Sequence, residues 1–507
     1  MQNKTTLLAI GLGLLGGNQL VGRLRHLPNK ASIEGVQIHR HLRSNEAIVL
    51  PQIVSGAKPP TPLTADHTQD RILPTALRDN DQVAQQKKRY SRCMTHTANN
   101  LSLSPAAEAY VWGFPLVSVH RTRLLLCSKN DSGVLNHVGD LSTPKDRAIV
   151  VPNNDTLYSS GWYDLRHGDL TIDVPPMDHA QRYWNVMIAD GHTHVAYICR
   201  RYHGVGGTQV RVTYDPKTPP SNDHSKVLTV GTPTAWVIIR VLVESSEDIA
   251  TARALQRAIR VTAPDSHPTA RTERAGRATD IAKAGAAFFT ELGDYLAIDP
   301  PAAWHPRPSL NAQKIVDDPA SVSTETLAAG VAEGERHILK GNISDAVKAH
   351  GWSTGRAATD SGNDILQRAT GAKFGLGGHQ AIENRSYVAQ NDAEGQLLDG
   401  TRPLKLRFNA NNMPPCSAFW SLTAYGPDMY LVENSIDRWS ISDRTPGLYY
   451  DKDGGLTIVF SHTQPALVAN WLPVPDGPYL LGLRVYEGNE AVVNCDWFPP
   501  VLEQTNT

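Results

Sequence analysis

The chain has 507 residues, 40% hydrophobic and 20% charged, which is enough apolar material for a sizeable core. Its 49 Lys and Arg balance 50 Asp and Glu, so no basic surplus points to nucleic acid as a partner. No apolar run reaches the roughly 18 residues that span a bilayer, so no multi-span membrane insertion is expected.

Residues 1–26 carry Lys4 followed by the apolar run Leu7 to Leu15, the pattern of a signal peptide or N-terminal anchor. That pattern predicts a periplasmic or secreted protein, with a cytoplasmic one as the alternative. Residues 27–100 are proline-rich, polar and poor in aromatics, and read as a poorly ordered linker. The five cysteines, Cys93, Cys127, Cys199, Cys416 and Cys495, are scattered without a CxxC pair, so neither a zinc ribbon nor a disulfide scaffold is expected.

Ser104-Pro105 is a helix start signal, and the helix over 106–112 should be limited by Gly113 and Pro115. Apolar runs at 148–151, 156–164, 170–174, 183–188, 193–199, 209–214 and 234–243 then read as strands. Stretches 248–260, 280–296 and 324–339 repeat apolar residues at a helical period, and 351–378 reads as a loop region. Strands return at 404–409, 417–425, 429–434, 456–461, 479–486 and 491–497. The order predicts a mainly β protein with inserted helices (α+β), built from two jelly-roll-like β-sandwich units. The expected domains are a sandwich over 101–245, a helical insertion with loops over 246–380, and a second sandwich over 381–502.

At this point the residues resemble a known pairing. Pro152-Asn153-Asn154-Asp155-Thr156-Leu157-Tyr158-Ser159, with Ser104 to Tyr110 and Thr232 to Arg240, resembles the domain of unknown function 1254. Phe419 to Tyr425, Asn434 to Arg438, Asn470-Trp471-Leu472-Pro473 and Trp497 to Pro500 resemble its partner, the domain of unknown function 1214. The resemblance covers 104–502. It implies a two-domain, β-rich bacterial protein, often exported, and no settled activity.

Two clusters could carry chemistry. Asn153, Asn154, Asp155 and Thr156 precede a strand, where they could line a pocket mouth or simply form a turn. Asp190, His192 and His194 alternate, so in a strand they would share one face. His192 and His194 could there bind a divalent metal, with His203 or a distant carboxylate completing the set, as H-x-H spacing does in cupins. A solvated strand face is the plainer alternative. Arg438 could grip a substrate carboxylate or form an ion pair, and Trp471 could line the pocket or pack in the core.

The expected site joins Asp155, Asp190 and Tyr158 as catalytic groups. Asn153, Asn154, Thr156, Arg438 and Trp471 would bind the substrate. The expected function is a small-molecule enzyme, a hydrolase using carboxylate acid–base chemistry on the first sandwich. The alternatives are a non-catalytic binder of a polar ligand such as a carbohydrate, a cupin-like metalloenzyme, and an envelope structural module. A small-molecule ligand is the expected partner, with homo-oligomerisation left open. No G-x-S-x-G elbow, P-loop or H-E-x-x-H motif is present.

Overall fold

The computed structural model describes residues 102–505 except 128–129, 148–149, 221–224, 266, 268–280, 345 and 356–360. The expectations for 1–26 and 27–100, and Cys93, lie outside the described residues. Among the described residues no helix is long and apolar enough to cross a membrane. Cys127, Cys199, Cys416 and Cys495 are all unbridged.

The first sandwich contains β1 (Asn136–Val138), β2 (Thr156–Asp164), β3 (Leu170–Val174), β4 (Trp184–Asp190), β5 (Val195–Cys199), β6 (Thr208–Tyr214), β7 (Val227–Val230), β8 (Thr234–Leu242) and β9 (Arg260–Thr262). They form a five-stranded sheet, β1-β2-β8-β4-β5, and a four-stranded one, β7-β6-β3-β9. Val186, Ile188, Val237 and Ile239 of the first meet Ile172, Val210 and Val212 of the second in one core. Strand β3 alternates buried and half-buried residues, the mark of a sheet with one wet face. Strands β4 and β8 are buried along their whole length, so their sheet is covered on both faces.

The outer face of that sheet is covered in two parts. Helix α1 (Pro105–Cys127) covers one, through Val119, Leu126 and Cys127 against Trp162, Met187 and Trp236. Two short helices, α2 (Arg200–His203) and α3 (Ile249–Ala258), follow within the sandwich. Helices α4 (Ala287–Ile298), α5 (Leu310–Asp317), α6 (Thr324–Ser344) and α7 (Ile365–Gly375) then pack with α1 around Tyr110, Phe288, Leu292 and Val331.

The second sandwich covers the other part. It contains β10 (Ala346–Ala349), β11 (Trp352–Gly355), β12 (Asn384–Ala389), β13 (Leu404–Phe408), β14 (Cys416–Tyr425), β15 (Ser440–Ser442), β16 (Leu456–Ser461), β17 (Trp471–Pro473), β18 (Leu480–Gly488), the short helix α8 (Glu490–Val493) and β19 (Leu502–Gln504). Its sheets run β10-β11-β12-β18-β14-β15 and β17-β16-β13-β19, with Leu422, Leu483 and Val485 facing Leu406, Ile458 and Phe460.

Several elements differ from expectation. Helix α1 continues through Gly113 and Pro115 to Cys127. A Cβ at Gly113 would lie 2.5 Å from the Leu292 side chain, so glycine here admits a close helix approach. Packing on nearly all sides overrides the breaking tendency of both residues. Strand β11 and helix α7 occupy the expected loop region, and 429–434 is not a strand. Residues 490–493 are helical. Strand β9 of the first sandwich and strands β10 and β11 of the second both fall inside 246–380.

Candidate functional site

Two polar rows face each other where the sandwiches meet. In the first sheet Tyr158, Arg240, Asn185 and Cys199 stand side by side across β2, β8, β4 and β5. In the second sandwich Ser386, Arg484, Ser421 and Ser442 stand across β12, β18, β14 and β15. Both arginines interrupt apolar runs of central strands, Trp236 to Leu242 and Leu480 to Tyr486, and are 1% and 3% exposed.

Glu383 plugs the junction. It accepts from Tyr183 Oη and Asn185 Nδ2 at 3.2 Å, from Arg201 Nε at 3.3 Å and from Cys199 Sγ at 3.5 Å. Burial pushes its carboxyl up, with Arg201 opposing.

The Pro152–Thr156 stretch forms a strap rather than an open pocket mouth. Val151 enters at φ 52, a rare conformation for a β-branched residue, fixed by its amide donating to Met429 O at 2.7 Å. Tyr425 Oη and Arg484 Nη2 donate to the carbonyls of Pro152 and Val151 at 2.9 Å each. Asn153 Nδ2 donates to Tyr486 Oη at 2.6 Å, and Asn153 Oδ1 caps the Asp155 amide at 2.7 Å. The stretch is therefore a turn, and it lies where the two sandwiches meet.

Asp155 is 3% exposed, and its Oδ1 accepts from Arg444 Nη2 at 3.2 Å. Arg444 Nη1 donates to Asp443 Oδ1, also at 3.2 Å, and the guanidinium lies 4.3 Å from the centre of the Phe419 ring. Phe419 stacks on Tyr486 at 4.1 Å. The Asp443 carboxyl is pushed up to about 6, by burial of its surroundings first and with the Asp155 charge adding, against the pull of Arg444. Asp155 Oδ2, Asn154 Oδ1, Thr156 Oγ1, Arg240 Nε, Ser421 Oγ and both ring nitrogens of His379 are buried without a hydrogen-bond partner among the described residues.

Asp190 does not belong to this site. It pairs with Ala235 of β8 while Thr156 pairs with Leu242, seven residues along the same strand. At ~3.3 Å per residue the two lie about 23 Å apart. Nor do Asp190, His192 and His194 share a strand face. Strand β4 ends at Asp190, and 191–194 turn into β5 with Thr193 at φ 66. Asp190 Oδ1 accepts the amides of His192 and His194, at 2.9 Å each, so the aspartate ties the hairpin. The turn nonetheless brings both rings to His305, with centres 4.9 Å (His192) and 4.2 Å (His194) from its own.

His192 Nε2 meets the Asp299 carbonyl at 3.1 Å. His194 stacks on His305, with ring centres 4.2 Å apart and planes at 9°. Asp190, His194 and His305 offer three ligand atoms within 4.8 Å of one another, a donor set suited to a divalent metal. Two features oppose coordination as the rings stand. Stacked rings send their in-plane lone pairs along parallel planes, which cannot meet at one ion. His305 Nδ1 accepts the Ala302 amide at 3.1 Å, which leaves the proton on Nε2, 3.0 Å from Asp190 Oδ2. The arrangement is an Asp–His pair backed by a second imidazole. Beside it Asp299 accepts from Thr234 N at 2.8 Å and sits 2.7 Å from His120 Nε2.

Arg438 and Trp471 are structural neighbours of each other. Arg438 Nη1 donates to the carbonyls of Val468, Ala469 and Trp471 at 2.9–3.0 Å and forms no pair with Asp437 or Asp443. Trp471 is 2% exposed, and its Nε1 donates to Ser461 O. A cleft lies elsewhere, between the end of α7 and the first sheet. It is lined by Val119, Trp236, Leu376 and Arg368 among others and contains neither Asp155 nor Asp190.

Sequence reasoning missed Arg240, Arg484, Arg444, Glu383, His379 and Tyr486. A signal existed for two of them: a lone arginine inside the apolar runs Trp236 to Leu242 and Leu480 to Tyr486. A charge in a strand buried on both faces calls for a reason.

Residues 133–263 match the model of a protein family of unknown function (DUF1254), and residues 383–490 match a second one (DUF1214). The chain is similar in fold to the crystal structure of the VPA0106 protein from Vibrio parahaemolyticus, with TM-score 0.60 and 22% identity, over 79% of this chain and 99% of that one. A putative uncharacterized protein from Burkholderia cenocepacia aligns over 84% of this chain and 95% of its own, at TM-score 0.38 and 12% identity. No curated protein matches the chain.

Proposed function

We propose that this pairing of the domains of unknown function 1254 and 1214 is an enzyme acting on a small polar molecule where its two sandwiches meet, by hydrolytic carboxylate chemistry. One observation carries the reading: Arg444 bridges a buried carboxylate, Asp155, to an outer carboxyl, Asp443, which is 34% exposed and whose partly desolvated setting pushes it up to about 6. A group in that range exchanges protons at working pH.

In this reading Asp443 takes a proton from water as the water oxygen bonds to the substrate's electrophilic carbon. The same proton passes to the leaving group as its bond to that carbon breaks. Asp155 Oδ2 accepts a hydrogen bond that orients the water or the substrate. Tyr158, beside Arg240, lines the inner wall. Asp190 takes no part.

The test is turnover of a panel of chromogenic esters, phosphoesters and glycosides by the full chain, with Asp443→Asn and Asp155→Asn beside it. Removing a general acid–base should lower kcat by roughly 10²–10⁴-fold and erase a pH dependence centred near that of Asp443. Equal rates and an unchanged pH profile in both variants would end the proposal. Stabilisation by ligands without turnover would favour the binding-protein alternative.

A further inference from the structure

We infer that the molecule bound at the junction is anionic, its carboxylate or phosphate group held between Arg240 and Arg484 with Ser421 and His379 beside them. This deepens the reading above and rests on its location.

Both guanidiniums lack a charged partner among the described residues. Arg240 donates to Asn185 Oδ1 at 3.5 Å and Gly377 O at 2.9 Å. Arg484 donates to Thr423 Oγ1 at 3.3 Å and to the carbonyls of Val151 and Pro152 at 2.9 and 3.5 Å. All these acceptors are neutral. Arg182, an equally buried guanidinium in the same sandwich, is gripped by two carboxylates, Asp178 at 2.6 Å and Asp248 at 2.7 Å. Arg444 brings a third guanidinium to the junction and shares it between Asp155 and Asp443. Glu383 is engaged by Arg201 and neutral donors. Neither Arg240 nor Arg484 hydrogen-bonds a carboxylate among the described residues, a costly state for a buried guanidinium that an arriving anion relieves.

The strap ties the two rows together: Asn153 Nδ2 donates to Tyr486 Oη at 2.6 Å, Arg484 Nη2 holds the Val151 carbonyl at 2.9 Å, and Arg240 lies 5.2 Å from the centre of the Tyr158 ring. Ser421 is the registered neighbour of Arg484, fully buried, with its hydroxyl unpartnered among the described residues. The His379 and Tyr486 ring centres lie 6.2 Å apart, and neither His379 nitrogen has a hydrogen-bond partner among the described residues. Burial and Arg240 hold it neutral, so it offers an N–H without adding charge. Guanidinium, hydroxyl and imidazole N–H together are the donors an oxyanion takes.

The experiment is thermal unfolding of the full chain in sodium phosphate, acetate and succinate against sodium chloride of equal ionic strength. A saturable rise in Tm with at least one oxyanion is expected. A response to phosphate alone identifies a phosphate-bearing ligand, and a response to acetate or succinate a carboxylate. Arg240→Met and Ser421→Ala should each weaken that response tenfold or more while unfolding cooperatively in chloride. Ser421→Ala removes only a hydroxyl, so it reads the site even if Arg240→Met fails to fold. Equal Tm in all salts, or a rise that Ser421→Ala leaves unchanged, overturns the inference. Asp443→Asn separates the two readings. Lost turnover without oxyanion stabilisation keeps the acid–base reading and rejects the anionic ligand. Stabilisation with turnover unchanged does the reverse.

Discussion

The two ends of the five-stranded sheet both bury charged side chains, and they settle them in opposite ways. At the end of β4, Asp190 and Asp299 face His120, His194 and His305 and cap backbone amides, so each carboxylate is paired within the protein even though Asp190 Oδ2, His194 Nδ1 and His305 Nε2 make no hydrogen bond among the described residues. At the junction end, Arg240 and Arg484 bond only neutral groups, and seven buried polar atoms on Asn154, Asp155, Thr156, Arg240, Ser421 and His379 have no partner among the described residues. The difference teaches how to separate scaffold from site. A buried charge answered by its own fold is architecture, whereas an unanswered one is held ready for something that arrives.

Four measurements break or sharpen this contrast. The largest effect is expected for Asp190→Ala, which frees two turn amides and strips His305 of its carboxylate. Urea unfolding should register a loss of about 3–5 kcal/mol, and a loss below about 1 kcal/mol would mean this end is not architectural. Arg240→Met should cost far less in chloride, no more than about 1–2 kcal/mol, because the lost hydrogen bonds are offset by removal of an unpaired buried charge. A cost as large as that of Asp190→Ala would erase the contrast.

Third comes pH. Burial, the largest cause for both, holds His192 at about 3 and His194 at about 4, from an ordinary 6.5. The unfolded chain therefore takes up protons below pH 6.5 that the folded chain refuses until pH 4 or 3. The unfolded state binds more protons in that window, so stability is full above pH 6.5 and falls as pH drops towards 4. Urea midpoints between these limits should follow that slope, and His194→Gln should flatten it. An unaltered slope would move the titration elsewhere. The smallest effect is expected from Co²⁺. The stacked rings and the proton on His305 Nε2 predict no visible ligand-field band on titration. A stoichiometric band lost in His305→Ala would show that the rings turn to bind an ion.

Much of the fold was legible because strand residues announce themselves. The runs at 156–164, 234–243, 404–409 and 456–461 match β2, β8, β13 and β16 closely. Helix α1 was not legible to its end, since Gly113 answers to Leu292, a partner far along the chain. The strap was visible through its turn chemistry, and Asp155, Asn153 and Tyr158 do lie at the junction. The Asp190 cluster was misread for a local reason. Alternation suggested a strand, whereas Gly191 and the positive φ of Thr193 make a hairpin turn. His305 and Arg444 escaped notice because each reaches its carboxylate from a distant segment, and no local spacing encodes that meeting.

The strap at 151–155 has one more consequence. Its carbonyls are held by Tyr425 and Arg484, and Asn153 is bonded to Tyr486, so a loop of the first sandwich completes the hydrogen bonding of the second. Val151 holds its uncommon backbone angle only while Met429 accepts its amide. Neither half can reach its native free energy alone. The pair should melt as one cooperative unit, and an isolated half should expose a wet, sticky face to chaperones and proteases. During synthesis the strap must wait for some 270 further residues before it can dock at Tyr425.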